Sequence, residues 1–167
     1  AMEDAGEMVQ IRDLESLEKH LHLWVHELPL GTKPIGYILS LEGADSIVNL
    51  HYLEKAYASG LRALGPAHYG PGRYANGTDA KGGLVGKGRE LLREMERLNI
   101  ILDATHLCDD SFWEAMDHFH GHVWASHINV LGLVDKSTRF SAEQVKVFVE
   151  SEAVIGAAVD VWMMVRD

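Results

Sequence analysis

A carboxylate or a histidine closes each of four successive apolar runs. Residues 37–42 read Y-I-L-S-L-E and end on Glu42. Residues 61–68, L-R-A-L-G-P-A-H, end on His68. Residues 99–106, N-I-I-L-D-A-T-H, end on His106, and residues 123–127, V-W-A-S-H, end on His127. Carboxylates and imidazoles bind metal ions and move protons. Glu42, His106 and His127 make a mixed oxygen and nitrogen set of the kind that holds zinc in hydrolytic sites and leaves a position for water. A metal so held lowers the pKa of water and supplies a nucleophile near neutral pH. The plainer alternative is that each polar residue merely ends a strand. One histidine-terminated run would favour that alternative; four consecutive polar strand ends weigh against it. Spacing alone leaves the metal open.

Short, dense apolar runs of this type read as strands buried on both faces of a parallel sheet. Helices separate them. Residues 1–7 read as a helix tail and 8–11 as a short strand. Asp13 caps a helix over 14–27, with Leu14, Leu17, Leu21 and Trp24 at helical spacing. Residues 35–41 form a strand, Asp45 or Ser46 caps a helix over 47–59, and 61–67 form the next strand. A long glycine-rich loop, 69–88, leads into a helix over 89–98 and a strand over 100–105. Loops of this length inside a domain are usually functional. Asp109 or Asp110 caps the following helix, and a strand covers 123–126. Residues 129–138 read as irregular. Ser141, with Gln144 at the capping-box position, starts a helix to about residue 151, and 153–163 is a last apolar run. The alternation predicts an α/β fold with a parallel sheet, in which strand C-termini share one mouth as in a (β/α)8 TIM-like barrel. About six strands are countable. A closed barrel of this class usually takes about 250 residues. The expectation for residues 1–167 is therefore one barrel-type domain, incomplete, with open edges.

Composition narrows the partners. The chain has 167 residues, a net charge of −10 and a pI near 5.4, which argues against a nucleic-acid partner. No apolar run reaches the ~18–20 residues of a membrane span, and no signal peptide is visible, so a cytoplasmic, non-membrane protein is expected. Cys108 is the single cysteine, which excludes an intrachain disulfide and reads as a small packed side chain. Of the remaining histidines, His20, His22 and His26 on one amphipathic helix read as surface residues, His51 lies within another helix with no partner in sequence, and His118, His120 and His122 bracket a helix end, where they suit the dipole and a metal tract is the minor alternative. Residues 82–88, G-G-L-V-G-K-G, lack the Ser or Thr of a phosphate loop, which excludes nucleotide binding. Trp24, Trp113, Met116, Trp162 and Met163 are expected in the core or on strand faces rather than around a ligand.

The runs Y-I-L-S-L-E-G, G-L-R-A-L-G-P-A-H, L-N-I-I-L-D-A-T-H and V-W-A-S-H, in this order, together resemble the renal (membrane) dipeptidase family of zinc peptidases. The segment G-L-V-G-K-G-R-E-L-L-R-E-M-E-R-L-N also looks like that family, and the likeness runs from about Ile35 to Arg139. The resemblance implies a (β/α)8 barrel holding two zinc ions and hydrolysing a small dipeptide substrate with a metal-activated water. Glu42 would be the carboxylate bridging both metals, and His106 and His127 the ligands of the second. His68 would contact substrate near the scissile carbonyl and stabilise the oxyanion. Arg139 would clamp the substrate's free carboxylate.

Two family features are absent from this sequence. The His-x-Asp pair that helps hold the first metal does not occur upstream of Glu42: His20, His22 and His26 are followed two positions on by His22, Trp24 and Leu28. The acidic residue expected after the final barrel strand has no counterpart, and Asp160 comes too early for that role. The chain thus resembles the middle of the barrel without its first and last strands. One or two zinc ions and weak or no turnover by these residues alone are expected. A single-metal amidohydrolase on another amide or lactam, and a non-catalytic binding or assembly remnant that completes itself as a homo-oligomer, stay open.

Overall fold

Over residues 39–130, apolar runs and helical stripes fold into strands and helices in the predicted order. The computed structural model describes residues 2–27, 29, 31, 33–130 and 139–159, with His26, Glu27, Val130 and Arg139 placed through their backbones. β1 (Met8–Gln10) precedes α1 (Leu14–His22), whose end widens into a turn of π-helix over Leu23–Glu27. β2 (Ile35–Tyr37) and β3 (Leu39–Glu42) follow, then a 3-10 turn (Ala44–Ser46), α2 (Leu50–Ala58) and β4 (Leu61–Gly65). Next come α3 (Gly88–Arg97), β5 (Ile101–Asp103), α4 (Asp109–His118) and β6 (Val123–Val130). β7 (Arg139–Phe140), α5 (Ala142–Glu150) and β8 (Val154–Ala157) end the described chain.

The main sheet is parallel throughout, in the order β3-β4-β5-β6, with β8 and β7 pairing successive parts of β6. This is the α/β, barrel-type arrangement that the strand and helix alternation predicts. β1 and β2 form a separate parallel pair. The run 35–41 is therefore two strands. Its first part pairs with β1 and its second with β4, an exchange of partner that an unbroken apolar pattern does not signal.

The core lies between the sheet and its helices. α3 inserts Leu91, Leu92 and Met95 at helical spacing, each fully buried. Phe112 of α4 meets Phe140 and Phe148, with ring centroids 5.3 and 5.8 Å away, a spacing typical of packed aromatic pairs. Met116 packs against this core, whereas Trp24 and Trp113 are 40% and 42% exposed, contrary to expectation. Trp162 and Met163 lie outside the described residues, as does Asp160.

Caps follow the residue types at α1 and α5 and depart from them at α2 and α4. Asp13 and Ser141 each form a full capping box, Ser141 with Gln144 as predicted. The helix expected from residue 47 starts instead at Leu50, capped by Asn49, because the 3-10 turn occupies 44–46 and Asp45 accepts a hydrogen bond from Arg73 N at 2.8 Å. Cys108, not Asp109 or Asp110, is the N-cap position of α4. The two aspartates lie in its first turn, where a carboxylate suits the helix dipole. Residues 2–6 form turns rather than a helix tail, and Asn129 and Val130 extend β6.

Candidate metal centre

Parallel strands paired side by side bring their C-terminal ends to one rim of the sheet. Glu42 is the last residue of β3. Gly43, at φ +86°, then turns the chain away, a conformation that favours glycine. His68 and His106 follow the ends of β4 and β5. His127 lies within β6, where the pairing with β8 shifts register between Ala125 and Ile128. Such irregularities re-aim side chains beside functional sites.

Three of these groups converge. Glu42 Oε1 is 2.8 Å from His106 Nε2 and 3.1 Å from His127 Nε2, and the two Nε2 atoms are 3.2 Å apart. Among the described residues this is the group of three able to hold one ion. Bond lengths of about 2.0–2.2 Å put ligands that share a zinc ion roughly 3 Å apart. A carboxylate oxygen and two imidazole nitrogens at these separations fit that requirement. His68 stands slightly outside the cluster, its Nε2 3.7 Å from Glu42 Oε1 and its ring centroid 4.5 Å from that of His106. Burial pushes His106 below the usual histidine range. Glu42 opposes that shift, and the neighbouring His68 and His127 add to it. A neutral ring, the form that ligates metal, is favoured.

The glycine-rich loop lines the rim. A Cβ on Gly77 would sit 1.8 Å from the His68 carbonyl oxygen, so only glycine lets the loop lie against this strand end. Thr78 N then donates to His68 O at 3.1 Å, and Thr78 Oγ1 lies 3.3 Å from both His106 Nδ1 and His106 O. The Tyr69 ring stacks edgewise on His68, with centroids 4.3 Å apart, and lies 5.1 Å from that of His106.

Further polar residues lie behind the cluster. Asp103, Thr105 and Ser126 connect by hydrogen bonds to His127. Strand spacing does not reveal them. Their only sequence signal is a polar side chain set inside an apolar strand, as in L-D-A-T-H. Arg139 begins β7 and pairs through its backbone with Asn129; its side chain lies outside the described residues. The other histidines whose side chains are described stay apart from any such cluster. His118 Nδ1 bonds to Glu114 O at 2.9 Å, and His51 faces Glu54 at 3.7 Å.

Residues 30–164 match the family model for membrane dipeptidase (peptidase family M19). The chain belongs to this family. Solved structures of family members and related peptidases share its fold. One is the dipeptidase AC, a metallopeptidase of family M19, 25% identical with a TM-score of 0.84; the alignment covers 99% of this chain and 50% of that one. Another is a metallopeptidase from Rhodobacter sphaeroides liganded with a phosphinate mimic of the dipeptide L-Ala-D-Ala. It is 26% identical with a TM-score of 0.79, over 93% of this chain and 45% of that one. An uncharacterized protein in the PQQ-III 3′ region of Acinetobacter calcoaceticus is 26% identical over 144 residues, 81% of this chain and 46% of that protein. This membrane dipeptidase family member therefore spans about half the length of the relatives it matches. Among its described residues, no helix is long and apolar enough to cross a membrane.

Proposed function

We propose that this chain carries the zinc-binding part of a dipeptidase site, with Glu42, His106 and His127 as ligands of one ion. The observation that carries this reading is the convergence of Glu42 Oε1 and the two Nε2 atoms within 2.8–3.2 Å. The chemistry such an ion supplies when bound is Lewis acidity and a lowered pKa for water. Glu42 offsets the cation's charge. His106 and His127 offer neutral nitrogen lone pairs. His68, half exposed at the rim, donates a hydrogen bond to the oxygen of the scissile carbonyl as charge develops there. Arg139 holds the free carboxylate of a dipeptide, which limits the substrate to short peptides with an unblocked C-terminus. Family membership and the likeness to enzymes named as dipeptidases support peptide hydrolysis.

A narrower reading also has an observation behind it. One ligand group, not two, is formed by the described residues, which suits a single-metal amidohydrolase. Dipeptides with free and blocked carboxyl termini separate the two, because only the dipeptidase reading requires the free carboxylate.

Elemental analysis of protein purified without chelators tests the ligand set. About one zinc per chain is expected, and Glu42→Gln and His106→Ala should each lose it. Absence of metal from all three proteins, with unchanged folding by circular dichroism, would overturn the proposal. Turnover of dipeptides by residues 1–167 alone is expected to be weak.

A further inference from the structure

We infer that Asp103, Thr105 and Ser126 form a relay that fixes the proton of His127 on Nδ1, and so turns the Nε2 lone pair of His127 toward Glu42 and His106. The use of that lone pair rests on the metal reading proposed above. The relay itself is a matter of hydrogen-bond inventory.

The direction of each bond follows from the first. Asp103 is 7% exposed, and a carboxylate only accepts. Its Oδ1 receives the Thr105 hydroxyl at 2.7 Å, with Thr105 N and Ser126 N each at 3.2 Å. Thr105 has one hydroxyl hydrogen and has used it on Asp103. Toward Ser126 Oγ, 3.2 Å away, Thr105 Oγ1 can only accept, as it also does from His127 N at 3.4 Å. The relay assigns the Ser126 hydrogen to Thr105 Oγ1 rather than to His127 Nδ1, the other acceptor within its reach. What remains on Ser126 Oγ is a lone pair facing His127 Nδ1 at 2.8 Å. With the Ser126 hydrogen so assigned, the ring carries its proton on Nδ1. Its Nε2 is then an acceptor, 3.1 Å from another acceptor, Glu42 Oε1.

That juxtaposition is unfavourable without a cation and favourable with one. Two hydroxyls thus do at a distance what a carboxylate in direct contact with a metal-bound histidine usually does: fix the tautomer and the ring orientation. The residues are set by strand geometry. Asp103 ends β5 and Thr105 lies two residues beyond it, and both side chains reach Ser126 on the neighbouring strand β6. Asp103, Thr105 and Ser126 are positioning residues, since none of them lies in the ligand cluster.

Two readouts test the relay. The first is zinc affinity by competition with a chromophoric chelator. Ser126→Ala and Thr105→Val break the chain of hydroxyls, and each should weaken zinc binding by about 10–100-fold. Thr105→Ser keeps the hydroxyl and should stay within about threefold of the parent protein. The second needs no metal. Long-range nitrogen–proton NMR of protein labelled at histidine, at about pH 8 where a free imidazole is neutral, reports which ring nitrogen carries the proton. His127 should be protonated at Nδ1 in the parent and in Thr105→Ser, and shift toward Nε2 in Ser126→Ala. A parent protein that binds no zinc removes the metal reading but leaves the tautomer measurement decisive. His127 protonated at Nε2 in the metal-free parent, or full zinc affinity in both Ser126→Ala and Thr105→Val, would overturn the relay.

Discussion

His68 differs from its neighbours in what it can reach. Glu42, His106 and His127 face one another within 2.8–3.2 Å, whereas His68 Nε2 stands 3.7 Å from Glu42 Oε1, outside that group. A group so placed is free to meet a substrate oxygen. His68→Ala is expected to retain its zinc within about twofold, yet to lose at least about tenfold in affinity for a phosphinate dipeptide analogue, since one charge-stabilising hydrogen bond is removed. Titration calorimetry on the zinc-loaded proteins measures both. Loss of zinc in this variant would instead make His68 a ligand. All four residues were legible in the sequence because each ends an apolar run, and strand ends in a parallel sheet share one rim. Asp103, Thr105 and Ser126 were not legible. Their role depends on which atoms face each other across β5 and β6, and residue type alone does not carry that information.

The loop over residues 69–88 is held as firmly as a regular element, chiefly through α4. Glu114 accepts from Leu84 N at 2.8 Å and from Arg89 at 2.6 and 2.9 Å, while Asp110 Oδ2 accepts from Gly82 N at 3.0 Å. The Arg89 guanidinium, and then the Leu84 amide, keep the Glu114 carboxyl below the usual carboxylate range. Because its folded pKa is depressed, Glu114 stabilises the fold fully above the unfolded carboxylate value of about 4.3 and less as pH falls through the folded value. Glu114→Gln should therefore cost about 1–2 kcal/mol at neutral pH in urea unfolding. The difference from the parent protein should shrink progressively below about pH 4. Equal stability of the two at pH 7 would mean that the loop is held by its other bonds. Glycine content marked this segment as a loop, but the acceptors that pin it lie on a helix more than one element away. The same gap explains the helix starts. Asp13 and Ser141 cap as their types predict, whereas Asp45, an equally good capping type, is engaged by Arg73 N, and Asn49 caps α2.

At the scale of the molecule, alternation of strand and helix was enough to read a parallel α/β sheet, because a strand buried on both faces leaves a continuous apolar run. Partner choice was not readable, so the separate β1–β2 pair and the break at Ile38 emerge only from the fold. α1 likewise has a helical apolar stripe, yet buries none of its residues; Leu14 and Leu21 are 68% and 52% exposed. A stripe predicts a face to be covered and does not name the cover. The proposed ligand set has a temporal consequence. Glu42 ends β3, His106 follows β5 and His127 lies in β6, with β4 between β3 and β5. No two of these three residues are close in sequence, so their grip closes only after the strands have docked. Zinc should therefore act on the native state after the rate-limiting barrier. In stopped-flow experiments, saturating zinc is expected to leave the refolding rate within about twofold and to slow unfolding by nearly the whole factor by which it stabilises the protein. A faster refolding limb would mean that the ion recruits its ligands before the sheet exists.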